Sequence, residues 1–277
     1  VYRLSYIPSG RSKNKLEQLA DKLRSAAPEG VDIVPPDSAL TIDEAFGSVE
    51  NKMYEILAMP LTMIAGNLPE AIVIGALSER DADFEKIVYN RQDPSEGPHI
   101  YLNAGARIAA FSERSKHMAD ALFPEWQTEV TGIDMMQADC PQYDGVIGLE
   151  EELSCTGPQQ WDSRFQFSPR EFIPQAGENV IAFLCLSDDK ELRKHLAAIH
   201  IPEVSQATNI ERKTAAEMES QGWKAIGVHC IMDHNHHYHV YACGVEPQTH
   251  RFKKVRYSSA TSDQIAKNVI ELLKVNV

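Results

Sequence analysis

Apolar and polar positions along this chain alternate between strand-length runs and helical stripes, and the alternation divides it into repeated strand-loop-helix units. Tyr2 to Ile7 has the period of a strand, Pro8-Ser9-Gly10 breaks it, and Leu16, Leu19, Ala20, Leu23 and Ala27 then share one helical stripe. Val31 to Val34 predicts a short second strand, closed by Pro35-Pro36. Thr41-Ile42-Asp43-Glu44 has the spacing of a capping box, and the helix it opens is expected to bury Ala45, Phe46, Val49, Met53, Ile56 and Leu57 before Pro60 stops it. Ala71 to Leu77 is a continuous apolar run, as in a parallel strand covered on both faces.

Ser78 to Asp81 reads as the start of another helix, Pro98 to Leu102 as a short strand, and Arg107 to Phe111 as a strand leading through Ser112 into a helix that ends near Pro124. Between Ser154 and Glu178 prolines and glycines fall among Trp161, Phe165, Phe167 and Phe172, the texture of a loop-rich connector that packs down onto a core. Asn179 to Leu186 is a second strongly apolar strand, with Ser187-Asp188-Asp189 opening a helix, and Asn209 to Gln221 is a further helix ending at Gly222. Lys224 to Asp233, Tyr238 to Glu246 and His250 to Tyr257 then have strand character, and Thr261 to Gln264 reads as a capping box for a last helix.

The fold class that follows is α/β: a strand-loop-helix N-terminal lobe with a mostly parallel sheet, and a smaller α+β C-terminal lobe containing an antiparallel hairpin. The expected division is a lobe over 1–150, a connector over 151–178 and a second lobe over 179–277, with one continuous domain as the alternative.

Composition narrows the partners. A formal net charge of −13, from 40 acidic and 27 basic side chains, repels phosphate backbones and anionic membrane surfaces, so no general nucleic-acid binding and no membrane association are expected. No apolar run approaches the roughly 20 residues of a membrane span. The five cysteines, Cys140, Cys155, Cys185, Cys230 and Cys243, are odd in number and widely spaced, which points to a reducing, cytoplasmic compartment. A leader removed before Val1 would leave the same sequence.

Ligands of open α/β sheets gather at the carboxyl ends of strands, where helix N-termini favour anions. Two such junctions combine hydroxyls with basic side chains: Ser9-Gly10-Arg11-Ser12, and Ser112 with Arg114 and Lys116. They are the candidate ligand-binding residues for a small anionic, phosphate-bearing or nucleotide-like molecule. Serine is also a preferred helix cap, so each junction has a purely structural reading. No G-x-G-x-x-G and no P-loop motif is present.

The chemically unusual feature is Asp233-His234-Asn235-His236-His237-Tyr238-His239. With a three-residue loop, opposed residues sum to 470: Asp233 faces His237, Ile231 faces His239, and His229 faces Tyr241. His229, Asp233, His237 and His239 then share one sheet face, a set that suits zinc, manganese or another divalent metal. A two- or four-residue loop shifts the sum to 471 and scatters them. His237, His239 and Asp233 are equally candidates for acid/base catalysis, and the structural alternative is a solvated turn.

The sequence therefore predicts an enzyme, a hydrolase or transferase, acting on a small anionic molecule held at strand ends. The alternatives are a metal-dependent hydrolase centred on the hairpin and a non-catalytic ligand-sensing or protein-interaction module.

Overall fold

The structure, a computed structural model, describes residues 1–7, 18, 20–25, 30–35, 41–64, 68–90, 100, 102–132, 142–154 and 161–275. These residues form a mixed α/β protein of two compact units that interleave along the chain: Val1–Asp81 with Gly177–Gln206, and Ala82–Ala176 with Ala207–Val277.

The first unit is built on a five-stranded sheet. Its strands are β1 (Tyr2–Tyr6), β2 (Val31–Ile33), β3 (Ile56–Pro60), β4 (Ile72–Leu77) and β10 (Ile181–Leu186), in the order β2-β1-β3-β10-β4. Strands β1, β2 and β3 run parallel, while β10 lies antiparallel between β3 and β4. Both faces are covered. Ile56, Ala58, Phe183 and Cys185 pack into one core with Leu4 and Leu196, and Leu57, Met59, Ala182 and Leu184 into another with Ala45 and Val49. Two-sided burial explains why β3 and β10 read as unbroken apolar runs.

Helix α1 (Ile42–Glu50) carries the expected capping box, with the Glu44 N–H donating to Thr41 Oγ1 and the Thr41 N–H donating to the Glu44 carboxylate. It is shorter than its apolar stripe predicts. Lys52 turns the chain at φ 54, Met53 is exposed, and Ile56–Pro60 is the central strand β3 instead of the helix's last turns. The run β4, expected to be a parallel strand covered on both faces, is an edge strand antiparallel to β10. Ser78 opens no helix. Its hydroxyl accepts the Ile181 N–H and donates to the Glu79 carbonyl, and the chain runs without helix or strand, bending at Ala82, as far as Glu85. The helix predicted over Leu16 to Ala27 is seen at residues 20–25, its remainder lying mostly outside the described residues, as does the strand predicted at Pro98 to Leu102.

The second unit holds a sheet of the same plan and one antiparallel sheet. Strands β5 (Lys86–Tyr89), β6 (Arg107–Ala110), β7 (Gln127–Val130), β8 (Gly145–Gly148) and β9 (Ser163–Gln166) are ordered β7-β6-β8-β5-β9. Here β6 is parallel to β7 and β8, and β5 is antiparallel to β8 and β9. Strand β9 lies within the predicted connector, whose Phe167 and Phe172 stack in the core as their aromatic character requires.

Helix α2 (Glu113–Leu122) follows β6 and is capped by Ser112, whose hydroxyl accepts the Ser115 N–H; the short α3 (Glu150–Ser154) follows β8. In the first unit α4 (Lys190–Leu196) follows β10 and is capped by Asp189. Helix α5 (Pro202–Ser220) starts seven residues before its predicted onset at Asn209, and the division between units falls within it.

Strands β11 (Lys224–Met232), β12 (Tyr238–Val245) and β13 (Phe252–Ser259) form the antiparallel sheet in chain order. One face, with Val228, Cys230, Val240, Ala242 and Val255, packs on α5 and on α6 (Ile265–Val275); the other contributes Ile231, Tyr241 and Cys243 to the core under α2. Helix α6 begins after the predicted capping box. Gln264 sits at φ 54 with its carbonyl accepting the Asn268 N–H, so it stands where the cap should be and not at the third helical position.

Candidate functional site

Two places in the second unit gather polar side chains. The first lies at the carboxyl ends of the parallel strands β6 and β8, where the chain turns into α2 and α3. Gly148, the last residue of β8, is required there by crowding: a Cβ would meet Phe111 Cδ2 at 2.6 Å and Glu152 Oε2 at 2.9 Å. The Leu149 N–H donates to Glu152 Oε2 at 2.7 Å. Burial holds the Glu152 carboxyl above the usual range against that bond, and the charge of Glu85 adds to the rise while Arg114 opposes it. This corner therefore keeps a carboxyl that bears its proton to a higher pH than a surface glutamate does.

Behind it, Arg114 Nη1 donates to Glu85 Oε2 and to the Ile173 carbonyl, both at 2.7 Å, and the Ser115 hydroxyl donates to the other Glu85 oxygen. Glu85 and Ser115 are buried, and Ser112 Oγ lies 2.6 Å from Ser115 Oγ. Of the ligand-binding candidates, Ser112 and Arg114 thus stand at this corner, with the guanidinium turned to a buried carboxylate. Lys116 pairs with Asp120 one turn along α2. Ser9, Gly10, Arg11 and Ser12 lie outside the described residues. Sequence reasoning missed Glu85 and Glu152. Neither carries a motif, and Glu152 reads as one of three solvated acids, Glu150 to Glu152. Glu150 is instead partly buried and paired with Lys86 and Arg164.

The second place is the histidine hairpin. Its register is the one with the sum of 470: Ile231 faces His239, His229 faces Tyr241, and the Asp233 N–H donates to the His237 carbonyl. The loop is His234, Asn235 and His236, of which His236, at φ 59, takes the left-handed position that closes a three-residue hairpin. Asp233 organises the turn, its Oδ1 accepting the Asn235 and His237 N–H groups at 2.8 and 2.9 Å. Those backbone bonds, first the one from His237, hold its carboxyl below the usual range.

The register puts four candidates on one face, and side-chain reach separates them. Asp233 Oδ2 lies 3.2 Å from His239 Nε2 and 3.9 Å from His237 Nδ1. His229 is four residues from Asp233 along the strand, a span of about 13 Å. It is buried, edge-on to Phe84, with Nδ1 3.6 Å from the buried Glu211, which accepts the Cys230 N–H. Among the described residues no group of three or more His, Cys, Asp or Glu side chains is placed to hold a metal ion.

Burial pushes the Cys185 thiol up to about 11 and that of Cys243 up to about 12, so both are small core residues and not nucleophiles. Cys140 and Cys155 lie outside the described residues. No helix among the described residues is long and apolar enough to cross a membrane.

No protein-family model matches this chain. It is 22% identical over 195 residues to a porphobilinogen deaminase of Staphylococcus epidermidis, covering 68% of this chain and 61% of that protein. With the porphobilinogen deaminase of a Nostoc species it is 27% identical over 204 residues, covering 72% and 62%. The chain thus spans about three fifths of the length of these relatives. Among solved structures it is similar to YhfZ from Shigella flexneri, with a TM-score of 0.39 and 13% identity over 79% of this chain and 92% of that one. A Bordetella pertussis extracytoplasmic solute receptor that binds pyroglutamic acid gives a TM-score of 0.37 and 12% identity, over 78% and 81%.

Proposed function

We propose that this chain binds a small molecule, that the corner at the ends of β6 and β8 forms part of its binding surface, and that Glu152 is the proton-bearing group there. The observation that carries the reading is the half-buried Glu152 carboxyl, raised by burial and placed where two parallel strands turn into helices. The N-terminal N–H groups of α2 at the same corner favour a ligand with negative charge. Relatives named for their action on porphobilinogen make that compound the first ligand to test. Binding is the part of their action proposed for this chain.

Thermal-shift and calorimetric titration with porphobilinogen, with phosphate and acetate as comparisons, tests the reading. Saturable binding of porphobilinogen is expected, weakened about tenfold by Glu152→Gln, which removes the titrating carboxyl while keeping its shape. No binding, or binding equal in wild type and Glu152→Gln, would count against it.

A further inference from the structure

The sheet of β11, β12 and β13 carries an arrangement outside the strand-end corner. His239 is opposed on its other side by Ser258 of β13. Because Asp233 and His237 form a hydrogen-bonded pair, alternation makes His239 and Ile231 one too, and His239 and Ser258 an open pair with their side chains close together. Ser258 Oγ lies 2.8 Å from His239 Nδ1, and His239 Nε2 lies 3.2 Å from Asp233 Oδ2. An ionised Asp233 only accepts, so Nε2 carries the ring proton and Nδ1 offers its lone pair to the serine hydroxyl.

The carboxylate is in turn fixed by two backbone N–H groups of the turn. Ser258 is exposed, and the side chains of His239 and Asp233 are each 25% exposed, so the hydroxyl is open to a ligand while its base is half sheltered. In an open pair the backbone N–H of Ser258 points away from β12, toward the sheet's outer edge and clear of its ladder bonds. The other ionisable groups on this face include the buried His229 beside Glu211, His237, 3.9 Å from Asp233, Tyr241, Lys254, whose ammonium donates to the Glu171 carbonyl, and Arg256, whose guanidinium lies 5.7 Å from the centre of the Tyr241 ring.

The geometry points to Ser258 as a nucleophile activated by His239 and oriented through Asp233, acting on small carboxylic esters. Ser258 Oγ bonds to the carbonyl carbon as its proton passes to His239 Nδ1, the carbon–oxygen bond to the alcohol breaks, and the departing alkoxide takes that proton. Water then attacks the acyl-serine, giving its proton to Nδ1 and thence to Ser258 Oγ. The sum is ester and water to acid and alcohol.

A fluorophosphonate probe with peptide mass spectrometry, alongside p-nitrophenyl acetate turnover on the full chain, tests this. Label on Ser258 is expected, with loss of labelling and turnover in Ser258→Ala and a fall of about 100-fold in His239→Gln. Ser258→Cys gives a second readout independent of acyl transfer: iodoacetamide should alkylate it faster than it alkylates the same cysteine in a Ser258→Cys, His239→Gln double variant. Absence of label on Ser258, turnover unchanged in Ser258→Ala, or equal alkylation of the two cysteine variants would each overturn the proposal.

Discussion

Arg114 illustrates how one residue changes meaning between sequence and fold. At a serine-capped helix start it reads as a counter-charge for an anion. In the protein its side chain, 11% exposed, is held by Glu85, 5% exposed, and by the Ile173 carbonyl. Removing one partner of a buried pair leaves the other charge uncompensated, a cost of about 3–5 kcal/mol. Arg114→Leu should therefore lower stability by that order in chemical denaturation, and Glu85→Gln with Arg114→Leu together should recover part of it. If the single variant matched wild type, the pair would not stabilise the fold. Glu211 and His229 show the same limit of a linear reading. The partner that turns His229 inward is 18 residues away, on α5, and no local pattern announces it.

Among the elements, those decided by local chemistry were legible. Thr41 and Ser112 cap helices as their spacing predicts, and the hairpin loop has the odd length that one of the two registers required. Helix α1 and strand β3 were not separated, because Val49, Ile56 and Leu57 also satisfy a helical stripe. What cuts the helix is the turn at Lys52 and the pairing of β3 with β1 and β10, which stripes do not encode. The same level holds a test of the strand-end corner. Gly148→Ala should push Phe111 and Glu152 away from β8, costing about 1–3 kcal/mol as overpacking does. Porphobilinogen binding should weaken along with melting temperature. A variant of wild-type stability would show that the corner yields freely.

For the whole molecule, the decisive fact is that each compact unit is made of separated segments. A division at 150 and 178, natural for a linear reading, leaves β10 outside the segment whose sheet it completes. Strand β10 lies between β3 and β4 and buries Ala182, Phe183, Leu184 and Cys185 completely. A fragment of residues 1–150 should accordingly fail to fold its first sheet, seen as loss of cooperative thermal unfolding by circular dichroism. A fragment that melted cooperatively would show that β10 is dispensable.

What the sequence determined by itself was whatever depends on neighbours within a few positions: the caps at Thr41 and Ser112, the strand-length apolar runs, the α/β class and the oddity of the histidine turn. Tertiary structure alone decided that β4 runs antiparallel to β10, that His229 turns to Glu211, that Glu152 becomes a half-buried carboxyl, and that Ser258 meets His239. The physical reason is range. Hydrogen-bonded caps and periodic burial are local, whereas pairing direction, desolvation and the meeting of side chains depend on residues far apart in the chain. Ser258 lies 19 residues beyond His239 and directly opposite it in the sheet.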